Sequence, residues 1–322
     1  MSLQRQQRKR KKKLRKWVYI VISVLLLGII GYGTHIALSV KSTADKVHVD
    51  LSRKKSDKRT EEVSLQELNP ITLLLMGVDE REGDKGRSDT MILVTLNPKK
   101  NSMQMFNLPR DTRMELVGRG TQDKINHAYA YGGPEMSIES VENFFDIPID
   151  YFISVNMEAL SEVVDALGGI TVNNPISWVE TGGYYEKAGF VYEKGEINLD
   201  GPQTLGFVRM RYQDPRGDFG RQEREKLVLN AIIEKGASLS SVTKIQSLLD
   251  VIGNNVQTNM TLDDMINLQA NYAGTRSNQE TFEIKGSGDT IDGVWYYIVP
   301  EEERLAVESR IKEFLEINNG NS

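Results

Sequence analysis

The chain has 322 residues, of which 39% are apolar and 26% are charged, and its net charge at pH 7 is −5. The length fits one large domain or two small ones, and the composition excludes an extensively disordered protein. The absence of cysteine excludes disulfide scaffolds, iron–sulfur clusters and thiolate nucleophiles, and three histidines argue against a multi-histidine metal centre. Any metal would have oxygen ligands, which favours Mg²⁺, Ca²⁺ or Mn²⁺.

Basic residues are concentrated at the N-terminus. Residues 1–16 hold nine Lys and Arg side chains and no acid, and removing these nine from the total leaves 31 basic against 45 acidic residues, a net charge of −14. A tail of this kind is typical of polyanion binders. Because it precedes an apolar span, we interpret it as a cytoplasmic topology signal that contacts anionic lipid, and we expect no nucleic-acid partner.

Residues 17–40 contain no Asp, Glu, Lys or Arg. A helix of this length rises about 36 Å, which is enough to cross a hydrocarbon core of about 30 Å with some tilt. A buried core helix and a cleaved signal peptide are the alternatives, but the apolar region of a signal peptide has only about 7–15 residues. The basic flank predicts a single-pass protein of the cell membrane, with a cytoplasmic N-terminus and an extracellular domain.

The remaining chain is divided into a polar juxtamembrane spacer, 41–69, and a folded domain, 70–322. Apolar runs predict strands at 71–79, 90–97, 102–109, 151–156, 170–174, 280–285 and 293–299. Helical patterns occur from Gly132-Gly133-Pro134 to about Asp146, at 157–167 and near 201–210, 219–236, 240–252, 261–273 and 300–317, with a long loop at 177–200. This alternation predicts a single α/β domain with a central mixed β-sheet flanked by helices.

Two carboxylates bracket the loop between the first two predicted strands. Asp79 ends one strand and Asp89 precedes the next, so the loop can bring both together as oxygen ligands for a divalent cation. Arg87 lies beside them, where its guanidinium can bind a phosphoryl oxygen that the same cation neutralises. The alternative is a surface Asp–Arg pair of little energetic value.

The third predicted strand ends at Pro109, which fixes the direction of the following Arg110. A guanidinium matches phosphate geometry bidentately, although an ordinary Arg–Asp turn explains the same residues. Further along, Lys124, Asn126 and His127 precede a glycine pair. A lone histidine is more often a structural hydrogen-bonding group than a general base.

Five arginines occur between 209 and 224 in an otherwise acidic domain, namely Arg209, Arg211, Arg216, Arg221 and Arg224. They indicate an anion site near a helix start, and a solvated helix face is the alternative. The sequence contains no GxSxG, Walker-type, HExxH or EF-hand pattern, which weakens the corresponding hydrolase, NTPase, protease and calcium-switch interpretations.

The order of these motifs resembles the LytR-CpsA-Psr family of Gram-positive cell envelopes, and within it the Bacillus-type wall teichoic acid ligases. The resemblance runs from about Ile71 to Glu225 and rests on GVDERE, GRSDTMILVTLNP, NLPRDT, KINHAYAYGG, LGGI, LDGPQTLGFVRMR and GRQERE. It implies a phosphotransferase that moves wall teichoic acid from an undecaprenyl-pyrophosphate carrier to the C6 hydroxyl of N-acetylmuramic acid in peptidoglycan.

The resemblance also implies roles for single residues. Asp79 and Asp89 match the acids that position Mg²⁺, with Mn²⁺ as a possible substitute. Arg87, Asp89 and Arg110 are the implied catalytic residues. The implied substrate contacts are Arg87, Arg110, Arg209, Arg211 and Arg221, and Asp214 and Gln222 fall in the same motifs.

Two other classes explain the same arginines. One is a non-catalytic, membrane-anchored receptor or scaffold for prenyl-pyrophosphates or anionic wall polymers, and the other is a pyrophosphate hydrolase. The three classes differ in turnover and in coupling to a glycan acceptor.

Overall fold

The computed structural model of the protein describes residues 33–79, 86–182, 189–237 and 242–317. The chain divides into two units, Met1–Thr43 and Ala44–Ser322. Residues 33–47 are helical (α1). Within the described ranges, no helix combines the length and the apolar character needed to cross a membrane. The predicted basic tail, 1–16, and residues 17–32 of the predicted transmembrane helix lie outside the described residues.

Short strands and longer helices alternate through the second unit. The described strands are β1 (Ile71–Val78), β2 (Ser88–Asn97), β3 (Ser102–Asn107), β4 (Arg113–Leu116), β5 (Thr121–Lys124), β6 (Tyr151–Asn156), β7 (Ile170–Asn174), β8 (Trp178–Val179), β9 (Val191–Tyr192), β10 (Gly195–Leu199), β11 (Val256–Thr258), β12 (Gln279–Glu283), β13 (Ser287–Ile291) and β14 (Val294–Ile298). The helices after α1 are α2 (Asn126–Phe145), α3 (Met157–Leu167), α4 (Gly201–Arg209), α5 (Asp218–Ala237), α6 (Val242–Asn255), α7 (Leu262–Tyr272) and α8 (Glu301–Phe314).

The central sheet has the strand order β11-β6-β1-β2-β3-β12. Neighbours β1 and β2 are antiparallel, as are β2 and β3, whereas β6 runs parallel to β1 and β12 runs parallel to β3. The sheet is therefore mixed, and the prediction of an α/β domain with a central mixed sheet flanked by helices is confirmed.

Both faces of the central strands are covered, which explains why they are almost continuously apolar. On one face, Leu74 and Phe106 pack in a cluster that includes side chains of α2 and α8. On the other face, Ile71 and Met105 pack in a second cluster with Tyr272 at the end of α7. Successive residues of a strand point to opposite faces, so one apolar run supplies both clusters.

Helix α2 begins earlier than the glycine pair predicts. Its first turns start at Asn126, and the backbone leaves helical geometry at Gly132 and Gly133 before Pro134. Gly133 has φ +66° and ψ −154°, a conformation that is open essentially to glycine alone. The Gly-Gly-Pro sequence therefore starts the second helical segment of α2, which runs to Phe145 as predicted, whereas the first segment, from Asn126, was not predicted.

Residues 44–69 are part of the folded unit, although their charge density suggests a spacer. Arg59 donates to both carboxylate oxygens of Asp150, from Nε at 2.9 Å and from Nη2 at 2.6 Å, and both side chains are largely buried. Leu65 is 3% exposed and packs against the sheet. A few buried contacts thus hold a segment whose average composition is polar.

The described residues of the predicted loop 177–200 form three short strands. Trp178 of β8 stacks on Tyr192 of β9 with ring centroids 4.4 Å apart, and it also contacts Phe207 of α4. These rings pack in a third apolar cluster with the inner faces of α3 and α5. Strands β8 and β9 have only two residues each, which is too short to produce a readable alternation.

Candidate active site

The site forms where β1 ends and β2 begins. The Asp79 amide donates to the Arg87 carbonyl at 3.2 Å, directly after a register shift between Gly77 and Val78. A bulge at this position redirects the side chains that follow it. Asp79 and Asp89 are thereby brought to the same end of two neighbouring strands, as the sequence predicts.

Three arginines from separate segments reach these two acids. Arg110 Nη1 lies 2.8 Å from Asp89 Oδ1, and Arg209 Nη2 lies 3.5 Å from Asp79 Oδ1. Arg221 Nη2 donates to the main-chain oxygen of Asp89 at 3.3 Å. The loop after β3, the end of α4 and the start of α5 therefore converge on one cluster, which brings together three of the arginines that the resemblance groups.

The cluster is partly screened from water. The side chains of Asp79, Arg110 and Arg209 are about one quarter exposed, with values of 24%, 24% and 23%. Arg221 is 8% exposed and also pairs with Glu225 along α5. Partial burial strengthens charge-assisted hydrogen bonds while leaving the guanidinium edges open to a ligand. The arrangement suits a multiply charged anion such as a pyrophosphate.

Arg110, Arg211 and Gln222 line one cavity of about 330 Å³ beside the cluster. The Arg211 guanidinium lies 4.8 Å from the ring centre of Tyr212 and donates to its hydroxyl at 2.9 Å. Gln222 is 8% exposed. Both predicted substrate contacts are thus next to Arg110.

Arg87 and Asp214 are placed differently from the other predicted site residues. The Arg87 side chain is exposed, and its main-chain carbonyl makes the contact with Asp79. The Asp214 side chain is fully buried and forms an ion pair with the equally buried Arg224. The predicted contacts of Arg87 and Asp214 with substrate stay predictions, and the packing of Asp214 gives it a structural role.

Arg224 supports the backbone of the segment that carries Arg209. Its Nε donates to the Phe207 carbonyl at 2.9 Å, and its Nη2 donates to the Met210 carbonyl. These carbonyls lie at the end of α4, where a cation is favourable. Arg224 therefore fixes the backbone on either side of Arg209.

The charge balance around Asp214 is consistent with this structural role. Burial opposes ionisation of the carboxyl, but hydrogen bonds from the Arg216 amide and the Arg224 guanidinium outweigh it and lower the pKa of Asp214. Burial lowers the pKa of Arg224, because a buried cation loses its hydration.

Strand β5 and the first turn of α2 supply supporting groups. His127 Nδ1 lies 2.9 Å from Asp123 Oδ2, so the histidine is engaged in a local hydrogen bond. The Asn126 amide lies 3.5 Å from Asp89 Oδ1. Lys124 Nζ lies 2.7 Å from Asp111 Oδ1.

Aromatic residues at the site are missing from the sequence-based prediction. Phe219, Trp295 and Tyr297 line the cavity beside Arg110. The available signal was Asp292-Gly293, a pair typical of a tight hairpin turn, and both residues have positive φ. That signal predicts the hairpin of β13 and β14 but not the surface on which it lies.

Asp79 and Asp89 are the oxygen ligands that the cluster offers to a metal. Across the described ranges, no group of three or more His, Asp or Glu side chains is arranged for metal binding. Mg²⁺ is commonly held by one or two carboxylates together with substrate phosphates and water. Two carboxylates beside a cluster of arginines fit that mode of binding.

Comparison with known proteins matches nearly the whole chain to one protein family and to a named relative. The model of the LytR_cpsA_psr family matches residues 34–313. A Bacillus subtilis protein named polyisoprenyl-teichoic acid–peptidoglycan teichoic acid transferase TagU is 45% identical over 314 residues, which cover 98% of this chain and 100% of that protein.

Two solved structures are similar over the folded unit. The crystal structure of B. subtilis TagU is 43% identical, with a TM-score of 0.63, and the match covers 77% of this chain and 97% of that one. A structure described as TagT bound to LI-WTA is 31% identical, with a TM-score of 0.70 and coverage of 84% and 100%.

Proposed function

Because the chain belongs to the LytR_cpsA_psr family, we propose that it is a transferase that attaches an anionic wall polymer to peptidoglycan. The polymer is wall teichoic acid, the donor carries it on undecaprenyl pyrophosphate, and the acceptor is the C6 hydroxyl of N-acetylmuramic acid. The observation that carries the proposal is the convergence of Arg110, Arg209 and Arg221 on Asp79 and Asp89.

The reaction forms one bond and breaks one. The acceptor hydroxyl attacks the phosphorus that bears the polymer, loses its proton, and expels undecaprenyl phosphate with the electron pair of the broken P–O bond. Little covalent chemistry is required of the protein, because positioning and neutralisation of charge supply most of the rate enhancement.

The arginines bind and orient the pyrophosphate in this mechanism. Arg110 donates from the edge of the cavity, Arg211 lines the same cavity, and Arg209 and Arg221 approach from α4 and α5. Arg87 is exposed beside Asp79, where it can reach a phosphoryl oxygen when substrate is present. A guanidinium fork suits this task better than an ammonium group does.

Asp79 and Asp89 would hold Mg²⁺, or Mn²⁺, through their carboxylates. When bound, the cation supplies further neutralisation of the pyrophosphate charge. The arginines that pair with these acids in the structure would then turn toward the phosphate oxygens, because both partners of each pair gain a more highly charged ligand.

The proposed setting is the outer face of the cell membrane. Residues 17–40 would anchor the chain, with the basic tail 1–16 inside and the folded unit outside, where a lipid-linked donor and peptidoglycan meet.

The experiment supplies the full chain with a synthetic undecaprenyl-pyrophosphate-linked teichoic acid and peptidoglycan oligomers. Release of undecaprenyl phosphate together with polymer-bearing glycan supports the transferase. Binding without release supports the receptor, and release without coupling to glycan supports the hydrolase, so either of these results contradicts the proposal.

A further inference from the structure

The cavity beside Arg110 has one aromatic wall that the phosphate chemistry does not require. Trp295 is 48% exposed and Phe219 is 41% exposed, and both line the cavity. Because they line the same cavity, they form an apolar patch rather than scattered surface residues, and such patches mark ligand-binding grooves. A volume of about 330 Å³ lies near the lower end of small-molecule sites, which span about 300–1,000 Å³.

The indole of Trp295 is held in place by its own hairpin. Trp295 pairs with Thr290 across β13 and β14. A Cβ placed on Gly288 would lie 2.8 Å from the indole Nε1 and 2.9 Å from Cζ2, so the glycine allows the ring to lie flat on the hairpin. One face of the ring is thereby covered by the hairpin backbone, and nearly half of the residue remains exposed at the cavity.

The hairpin is in turn fixed to the phosphate-binding segment. The Tyr297 amide donates to the Asp111 carbonyl at 2.9 Å, and its hydroxyl donates to the Ile284 carbonyl at 3.0 Å. Burial raises the pKa of Tyr297, so the phenol stays neutral and keeps this hydrogen bond. Trp295 therefore stands at a defined position relative to Arg110.

The edge of the cavity carries both hydrogen-bond donors and hydrogen-bond acceptors. The Asp111 carboxylate accepts hydrogen bonds, and Lys124 and Arg110 donate them. Lys124 Nζ lies 2.7 Å from Asp111 and 5.9 Å from the ring centre of Trp295. An apolar face next to donors and acceptors matches a ring with one C–H face and a rim of hydroxyl groups.

We propose that this cavity binds a pyranose ring, with its C–H face on Trp295 and its hydroxyl groups at Asp111 and Lys124. The proposal rests on the proposed function, because a sugar at this position lies next to the reacting phosphate. The ring belongs either to the acceptor glycan or to the first sugar of the donor, and the chemistry of recognition is the same.

Binding is measured without turnover, so the test stands even if the transferase proposal fails. The full chain in detergent is titrated by calorimetry with two probes, the N-acetylglucosamine–N-acetylmuramic acid disaccharide and N-acetylglucosamine on a short prenyl pyrophosphate. Trp295→Ala should weaken the binding of at least one probe about tenfold, and Trp295→Phe should restore part of the loss. The probe that is affected identifies which reactant supplies the ring.

Two further variants separate stacking from folding. Val294→Ala changes an exposed neighbour in the same hairpin that lies outside the cavity lining, and it should bind like wild type. Gly288→Ala leaves Trp295 in the chain but displaces its indole, and it should weaken binding as Trp295→Ala does. Equal affinity of wild type and Trp295→Ala for both probes overturns the proposal, as does failure of the wild type to bind either probe.

Discussion

Replacing Asp214 by Ala should destabilise the fold strongly, because the carboxylate neutralises a guanidinium that water does not reach. The side chains of Asp214 and Arg224 are both 0% exposed and form an ion pair. Removing one partner of a buried pair leaves the other charge unpaired, which costs about 3–5 kcal/mol. Since domains have total stabilities of about 5–15 kcal/mol, this is a large fraction.

Arg216→Ala is the matched control. Arg216 also contacts Asp214, with Nε 3.6 Å from Oδ1, and it pairs with Glu223 at 2.5 Å, but its side chain is 49% exposed. Exposed pairs contribute about 0–1 kcal/mol, so this variant should remain close to wild type. The variants are compared by urea unfolding followed by tryptophan fluorescence. The buried Trp178 reports on this region, because its ring centre lies 5.3 Å from the Arg224 guanidinium carbon.

The direction of the pH effect follows from the lowered pKa of Asp214. A carboxyl whose pKa is lower in the folded state contributes stability above its unfolded pKa, about 3.9, and loses it as the pH falls through the folded value. Asp214→Asn should lack this part of the acid dependence. If Asp214→Ala is as stable as Arg216→Ala but loses affinity for substrate, the structural account is wrong and the carboxylate acts on the substrate.

The other predictions concern catalysis and topology. Asp79→Ala and Asp89→Ala should each abolish transfer, with the double variant no worse than either, and chelation should have the same effect; full activity in excess chelator would contradict the metal role. Arg110→Ala and Arg209→Ala should each weaken donor binding or transfer about ten- to hundredfold, with Lys at either position recovering only part, and wild-type affinity in correctly folded variants would refute the phosphate contacts. Mass spectrometry of membrane-bound protein should find residues 17–40 retained, and protease should reach the C-terminus in intact protoplasts; a mature chain that begins after this segment would contradict the anchor.

The central strands could be read from the sequence because their apolar runs are local. The predicted strand 71–79 corresponds to β1, and the two acids at the β1–β2 junction follow from strand ends that chain order alone places side by side. The glycine pair before Pro134 correctly marked the start of the second helical segment of α2, but the short segment before it, from Asn126, was not predicted.

Contacts between distant segments could not be predicted from local patterns. Asp214 and Arg224 lie in a motif rich in arginine, and the sequence does not say which arginine turns inward to the carboxylate. In the structure it is Arg224 that pairs with Asp214, because both side chains are buried. Which side chain is buried depends on how the whole core packs. The position of Trp295 likewise depends on a contact between distant segments, the hydrogen bond from the Tyr297 amide to the Asp111 carbonyl.

The fate of the polymer-bearing phosphorus tests the central claim most directly. A donor radiolabelled at that phosphorus is incubated with the full chain and peptidoglycan oligomers, and the glycan and lipid products are separated. The account predicts that the label enters the glycan fraction in a phosphodiester, with one unlabelled undecaprenyl phosphate released for each polymer transferred. Label in the released lipid or in free phosphate would contradict it.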